Sequence, residues 1–150
     1  MANTYTQIYI QIVFAVKGRQ SLVLSTFKEE VQKFITGIIE KRDSKLIAIY
    51  CMPDHTHILI RMKPTTLLSD LVRDVKAGSS KFINDNNWLN NRFEWQNGFG
   101  AFSYNHSQVE NVRAYINNQE AHHQKIKFKE EFIDHLQQFG VNYHPDYLFE

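Results

Sequence analysis

The chain has 150 residues, 43% of them hydrophobic and 22% charged, so it is long enough to bury a core and too apolar to remain disordered. It carries 17 Lys and Arg against 16 Asp and Glu, and a net charge of +1 excludes a uniformly basic nucleic-acid-binding surface. Any such surface must come from local clustering of cations.

The sequence gives no sign of a membrane or secreted protein. No apolar run reaches the roughly 18 residues that a membrane span needs, and the first residues do not resemble a signal peptide. The only cysteine, Cys51, cannot form an intrachain disulfide, which agrees with a reducing compartment. We expect a cytoplasmic protein without membrane contact, folded as a single domain over residues 1–150 because no repeat or linker marks a boundary.

The first half of the chain predicts three strands and two helices. Alternating apolar residues predict a long strand over residues 4–17, which Gly18 ends. Apolar residues at helical spacing follow over residues 27–42. Two strands, over residues 45–52 and 55–63, are separated by the turn at Pro53 and Asp54. A second long helix is expected over residues 66–84.

The second half predicts a short strand over residues 98–104 and then two helices. Ser107 and Glu110 match a capping box, so one helix should run from there to about residue 123. A last helix is expected over residues 128–139. The order β-α-β-β-α-β predicts an α+β, ferredoxin-like fold with an antiparallel sheet and extra C-terminal helices. That fold hosts many functions and identifies none of them.

Two histidines stand out in the third predicted strand. His55 and His57 are two residues apart, so their side chains lie on one face and can converge on one metal ion. Ile58 and Ile60 on the other face indicate the core side. By itself the pair is explained equally well as two polar residues on a solvated strand face.

A second pair lies on the helix that begins near Ser107. Tyr115 and Gln119 are four residues apart and share one helix face, beside the apolar stripe of the same helix. Spacing alone favours a plain explanation, an amphipathic border residue with a neighbouring amide. A functional assignment needs further sequence context.

The order of the motifs supplies that context. Five blocks along the chain together resemble the single-tyrosine HUH transposases of the insertion-sequence 200/605 type. They are IVFAVK at residues 12–17, MPDHTH at 52–57, KAGSSK at 76–81, GFGAFS at 98–103 and YINNQEAHH at 115–123. Thr56 occupies the middle of the histidine motif, where the name HUH implies a hydrophobic residue.

The resemblance implies a metal-dependent transposase acting on single-stranded DNA. His55, His57 and Gln119 would bind a divalent cation, Mg²⁺ or Mn²⁺, and Tyr115 would be the nucleophile. Attack on the scissile phosphate would leave a 5′-phosphotyrosine and a free 3′-OH, and the covalent bond would conserve the energy for rejoining. The implied partners are hairpin DNA ends of a mobile element and a second copy of the chain. In that homodimer the tyrosine helix comes from the partner, which makes the active sites composite.

The DNA surface is expected on a basic, hydroxyl-bearing side of the second long helix, with help from cations near strand ends. The residues concerned are Lys17, Arg19, Lys63, Arg73, Lys76, Ser80 and Lys81. His122 and His123 are expected at a helix C-terminus, where positive charge is favourable, although both could also extend the metal set, since His123 is four residues past Gln119.

Three other interpretations fit part of the pattern. A non-catalytic, ferredoxin-like nucleic-acid-binding protein would need neither the metal nor Tyr115. A two-histidine phosphoesterase would need two separate His-x-Thr/Ser motifs and would leave Tyr115 without a role. A domesticated transposase relative would share every motif above.

Overall fold

The computed structural model describes residues 4–149. Its strands and helices are β1 (Tyr9–Ala15), α1 (Lys28–Lys41), β2 (Lys45–Cys51), β3 (His55–Arg61), α2 (Leu68–Asp85), β4 (Gly100–Tyr104), α3 (Val109–Asn117), α4 (Gln119–His123) and α5 (Phe128–Gln138). The strands form one four-stranded antiparallel sheet in the order β2-β3-β1-β4. The α+β architecture with extra C-terminal helices is therefore confirmed.

Helices α1 and α2 cover one face of this sheet with their apolar stripes. Val31, Ile35 and Ile39 of α1 are completely buried against the strands. The two helices approach each other closely at Gly78, where a Cβ atom would lie 2.8 Å from Ile38 Cδ1. Gly78 of the block KAGSSK thus has a packing role between the two helices.

The opposite face is covered in two separate parts. One apolar cluster joins α3 to the sheet, and its buried members are Tyr9, Ala48, Leu59, Val109, Val112 and Ile116. Another joins α5 to the sheet, and its buried members are Val13, Ala15, Phe102, Phe128 and Leu136. Between the two clusters the sheet presents buried polar side chains, Gln11, His55 and His57.

Two predicted elements differ from the structure. Strand β1 begins at Tyr9 instead of residue 4, because its partners end there: Tyr9 pairs with Arg61 on one side and Tyr104 on the other. Alternation in one segment says nothing about the length of neighbouring strands, which decides how far a strand extends.

The helix expected from Ser107 to about residue 123 is in fact two helices with an irregular start. A 3₁₀ turn, His106–Gln108, comes first, and its capping box uses Asn105 and Gln108 in place of the expected pair. Helix α3 then ends and α4 begins at Asn118, whose φ of −106° and ψ of 24° are not helical.

The buried hydroxyl of Thr56 predicts that a substitution at this position will stabilise the fold. Its hydroxyl is fully buried and has no hydrogen-bond partner among residues 4–149, and its cross-strand neighbour Cys51 carries only a weakly donating thiol. Because an unsatisfied buried hydroxyl is destabilising, we expect Thr56→Val to raise the free energy of unfolding by about 1 kcal/mol and Tm by about 2–4 °C. Urea and thermal unfolding measure both, and a lowered midpoint would show that the hydroxyl has a partner.

No helix in the described part of the chain is long and apolar enough to cross a bilayer.

Candidate metal centre and tyrosine

His55 is the first residue of β3 and is completely buried. Its Nδ1 donates to Asp54 Oδ1 at 2.7 Å, in the turn that precedes the strand. Burial would raise the pKa of Asp54, but the hydrogen bond from His55 outweighs it and holds that pKa below its usual value. With the proton fixed on Nδ1, the lone pair of Nε2 is directed into the site, as in carboxylate-oriented metal ligands.

His57 lies on the same face and is 1% exposed. Its Nδ1 is 2.9 Å from Gln11 Nε2, and Gln11 in turn accepts from the Tyr104 hydroxyl at 2.8 Å. Burial lowers the pKa of His57 to about 4, so the imidazole is neutral. Its Nε2 donates to Glu131 at 2.8 Å. Rotation of the Gln11 amide by half a turn would place its oxygen at Nδ1 and favour the tautomer that frees Nε2 for a cation.

Glu131 is a site residue that sequence analysis missed. It comes from the first turn of α5 and is 2% exposed. Its Oε1 lies 2.8 Å from His57 Nε2 and 3.7 Å from His55 Nε2. Its Oε2 lies 3.1 Å from His122 Nε2 and 3.2 Å from His123 Nε2. Burial alone would raise the pKa of this carboxyl, but the surrounding imidazoles and the Tyr115 phenol hold it well below the usual range.

A sequence signal for Glu131 did exist. It shares the buried side of α5 with Phe128 and Leu136, so an acidic residue occupies an otherwise apolar stripe. A charged group is buried at such a position only when partners compensate it, which marks the position as unusual.

Tyr115 and Gln119 both reach the histidines of their own chain. The Tyr115 ring is 5.9 Å from the His57 ring, and its hydroxyl donates to Glu131 and lies 3.2 Å from His122 Nε2. Burial, with the Glu131 charge second, raises the pKa of Tyr115 and keeps the phenol protonated. Gln119 is fully buried, with Oε1 3.5 Å from His55 Nε2.

The donor set fits a divalent cation. One ligand atom from each of His55, His57, His123 and Glu131 lies within 4.8 Å of all the others. His123 Nε2 is buried and makes no well-formed hydrogen bond within the described part of the chain, although it is close to Glu131. An orphaned imidazole nitrogen beside a carboxylate and two further imidazoles is suited to a cation of the Mn²⁺ type. His122 and His123 also occupy the last turn of α4, as expected.

The α2 residues expected to bind DNA lie over the sheet face that is turned away from this site, and their polar groups are engaged. Arg73 pairs with Asp70 at 3.2 Å and with Asp74 at 3.3 Å. Lys81 pairs with Asp85 at 2.5 Å. The other two residues bond to backbone: Lys76 donates to Gln96 O and Gly98 O, and Ser80 to Ala77 O.

The three remaining expected DNA contacts lie near strand ends. Lys17 pairs with Glu94 at 3.0 Å, and Lys63 pairs with Asp43 at 3.2 Å. Arg19 differs, because its guanidinium lies 4.7 Å from the centre of the Phe149 ring and has no acidic partner within 4.0 Å in residues 4–149.

Residues 4–119 match the model of the family described as "Transposase IS200 like", and the chain therefore belongs to the IS200-like transposase family. The matched region contains β3, Tyr115 and Gln119 and ends before α5.

Three individual relatives each share less than a quarter of their aligned residues with this chain. The ISDra2 transposase TnpA of Deinococcus radiodurans is 23% identical over 75 residues, which are 50% of this chain and 54% of that protein. The chain thus spans about half the length of the curated relative it matches. A crystal structure from D. radiodurans R1, provisionally assigned as a transposase, has a TM-score of 0.64 at 17% identity and covers 79% of this chain and 95% of its own. The REP-associated tyrosine transposase bound to a REP hairpin has a TM-score of 0.63 at 18% identity, covering 85% of this chain and 75% of its own. These two likenesses show the fold.

Proposed function

We propose that this transposase cuts and rejoins single-stranded DNA with Tyr115 as its nucleophile and a divalent cation as its cofactor. One observation carries the proposal: Tyr115, Gln119 and the two histidines of β3 meet in one buried polar cluster. Four polar side chains from two distant segments of a chain rarely converge in this way for packing alone, since buried polar groups are costly unless they are paired.

The proposed ligands are His55, His57 and Gln119, with Glu131 as an additional donor and His123 as the nearest reserve. Imidazole, amide and carboxylate donors suit Mn²⁺ or Mg²⁺. The bound cation would supply Lewis acidity to the scissile phosphate and to the departing oxygen. The protein's part is to hold these donors in place, through Asp54 at His55 and through Gln11 at His57.

Tyr115 would form the covalent link. Its phenol oxygen bonds to the phosphorus, the bond from phosphorus to the 3′ oxygen breaks, and that oxygen takes a proton to become the 3′-OH. The hydrogen bond from Tyr115 to Glu131 orients the phenol. The proton that the phenol gives up balances the proton that the departing 3′ oxygen takes up. Rejoining reverses these bond changes with a 3′-OH as nucleophile, so no nucleotide cofactor is needed.

The proposed substrate is a hairpin end of a mobile element. The structural relative that was solved with a REP hairpin supports this choice of DNA form, although its own specificity belongs to that protein. We place the protein in the cytoplasm, where such DNA would be met, and regard residues 1–150 as one functional domain.

The decisive experiment is incubation with single-stranded DNA from the ends of the element, with Mn²⁺ or with EDTA. We expect a covalent protein–DNA adduct with the metal and none with EDTA. A non-catalytic DNA-binding protein would bind without forming an adduct, and a phosphoesterase would release its product without a covalent link. Absence of an adduct with every divalent metal and hairpin strand would contradict the proposed function.

Whether a homodimer shares its sites is a separate question. The resemblance implies composite sites, whereas here α3 packs its buried stripe on its own sheet and brings Tyr115 to its own His57. Sharing would require exchange of α3 through the turn at His106–Gln108.

Mixing His57→Ala with Tyr115→Phe protein tests the arrangement. Because the contacts favour a site completed within one chain, we expect the mixture to remain inactive even when differently tagged chains co-purify. Recovery of adduct formation in the mixture would establish the composite homodimer, since only exchanged helices can then combine an intact tyrosine with intact histidines.

A further inference from the structure

A groove of about 540 Å³ opens beside the candidate metal centre. It lies between the 3₁₀ turn Lys17–Arg19, which follows β1, and the start of α5. Asp54 and His123 line it on the inner side. Since Asp54 holds His55 and His123 belongs to the donor cluster, the groove leads directly to the proposed ligands.

The outer side of the groove is lined by exposed cations. They are Arg19, Lys127 and Lys129, and none of the three has an acidic partner within 4.0 Å in the part of the chain that the structure describes. Glu130 also lines the groove, while the carboxylate of Asp54 is engaged by His55. The positive charges of the groove are therefore not paired with acidic side chains of residues 4–149. On α2, by contrast, Arg73 and Lys81 are paired with Asp70 and Asp85.

Local structure makes these cations unusual. Lys127 and Lys129 lie at the N-cap and the second residue of α5, the helix end where the dipole favours anions and positive side chains are unfavourable. Arg19 has a φ of 55°, uncommon for a residue other than glycine, and is held by its N–H donating to Val16 O at 2.7 Å. A phosphate in the groove would offset the unfavourable charges at the helix end.

We infer that this groove binds the phosphodiester backbone of the DNA strand whose scissile phosphate reaches the metal centre. The inference rests on the proposed function for the identity of the strand. The proposed ligands His55 and His57 are almost wholly buried, so a flexible single strand can follow the groove to them more readily than a stiff duplex.

The test compares two triple variants that remove the same charge. The groove variant combines Arg19→Gln, Lys127→Gln and Lys129→Gln, and so removes the three cations that line the groove. The matched control combines Lys33→Gln, Lys41→Gln and Lys45→Gln, which are exposed, without an acidic partner in residues 4–149, and located on α1 and β2. Both are made in a Tyr115→Phe background and assayed with EDTA. The outcome then depends on binding alone and not on whether the protein cuts DNA.

Fluorescence anisotropy with an oligothymidylate over a salt series is the measurement. We expect the groove variant to bind at least about 10-fold more weakly at low salt, and its slope of log K against log salt to fall by about 2, because each lost phosphate contact contributes about 0.7. The control should stay within about 2-fold of the parent. Circular dichroism should show that the groove variant melts at the same temperature as its parent or slightly higher, since two cations leave the positive end of α5.

Equal losses in both triple variants would overturn the inference, because they would reflect net charge alone. Tighter binding of a duplex than of the single strand, with the same dependence on the groove cations, would overturn the choice of a single strand. Failure of the wild-type protein to form an adduct would contradict the proposed function. It would not change the binding result, because the binding assay uses Tyr115→Phe protein in EDTA and requires no cleavage.

Discussion

Tyr115→Phe is expected to abolish the covalent protein–DNA adduct and to lower cleavage at least about 1000-fold, because it removes the oxygen that would bond to phosphorus. The ring itself is retained, so its packing beside His57 should persist. Denaturing gel electrophoresis of labelled DNA with Mn²⁺ measures the adduct, and peptide mapping locates it. Mn²⁺ affinity should change little, since the phenol is not among the proposed ligands.

Two controls make this result interpretable. Tyr5→Phe changes a tyrosine that is 90% exposed and should leave the adduct intact. Unfolding must also be followed, because Tyr115→Phe removes a hydrogen bond to the buried Glu131 and should cost about 1–3 kcal/mol. An adduct that persists and maps to another tyrosine would remove Tyr115 from the nucleophile's role.

Glu131→Gln is expected to weaken Mn²⁺ binding by about 10–100-fold, as measured by calorimetry. The substitution keeps the shape of the side chain but removes the negative charge that faces both proposed histidine ligands. The thermal stabilisation by Mn²⁺ should fall in parallel, because ligand-linked stability follows the ratio of concentration to Kd.

Asp134→Asn is the matched control for this prediction. It removes one negative charge from an exposed position of the same helix and should leave Mn²⁺ affinity within about 2-fold. Unchanged affinity in Glu131→Gln would restrict the ligands to the histidines and Gln119. An equal loss in both variants would mean that long-range charge, and not coordination, is responsible.

Much of the fold could be predicted because its helices and strands have strong periodicity. Val31, Ile35 and Ile39 repeat at helical spacing in α1, and β3 places its histidines opposite Ile58 and Ile60. The start of β1 could not be predicted, since it depends on where Arg61 and Tyr104 stop pairing. The break at Asn118 has no strong local signal such as proline or glycine.

The site was predictable only in part. Motif order pointed to His55, His57, Tyr115 and Gln119, and the structure brings these four together. Glu131 could not be assigned, because no local motif connects it with β3 and only tertiary packing of α5 brings its carboxylate to the site.

The DNA surface expected on α2 was predicted from cations that have acidic residues close to them in sequence. Helix geometry pairs Lys81 with Asp85 and leaves little free charge there.

Strand β3 is hydrogen-bonded to a neighbour on each side, β1 and β2. The two imidazoles are therefore anchored in the most constrained part of the backbone, while the side chains that surround them come from helices joined by turns. Such a division fixes the two proposed histidine ligands in the sheet, while the proposed nucleophile and the other donors depend on how the helices α3, α4 and α5 pack against it. A substitution that loosens the packing of α3 would therefore move Tyr115 away from histidines that remain in place.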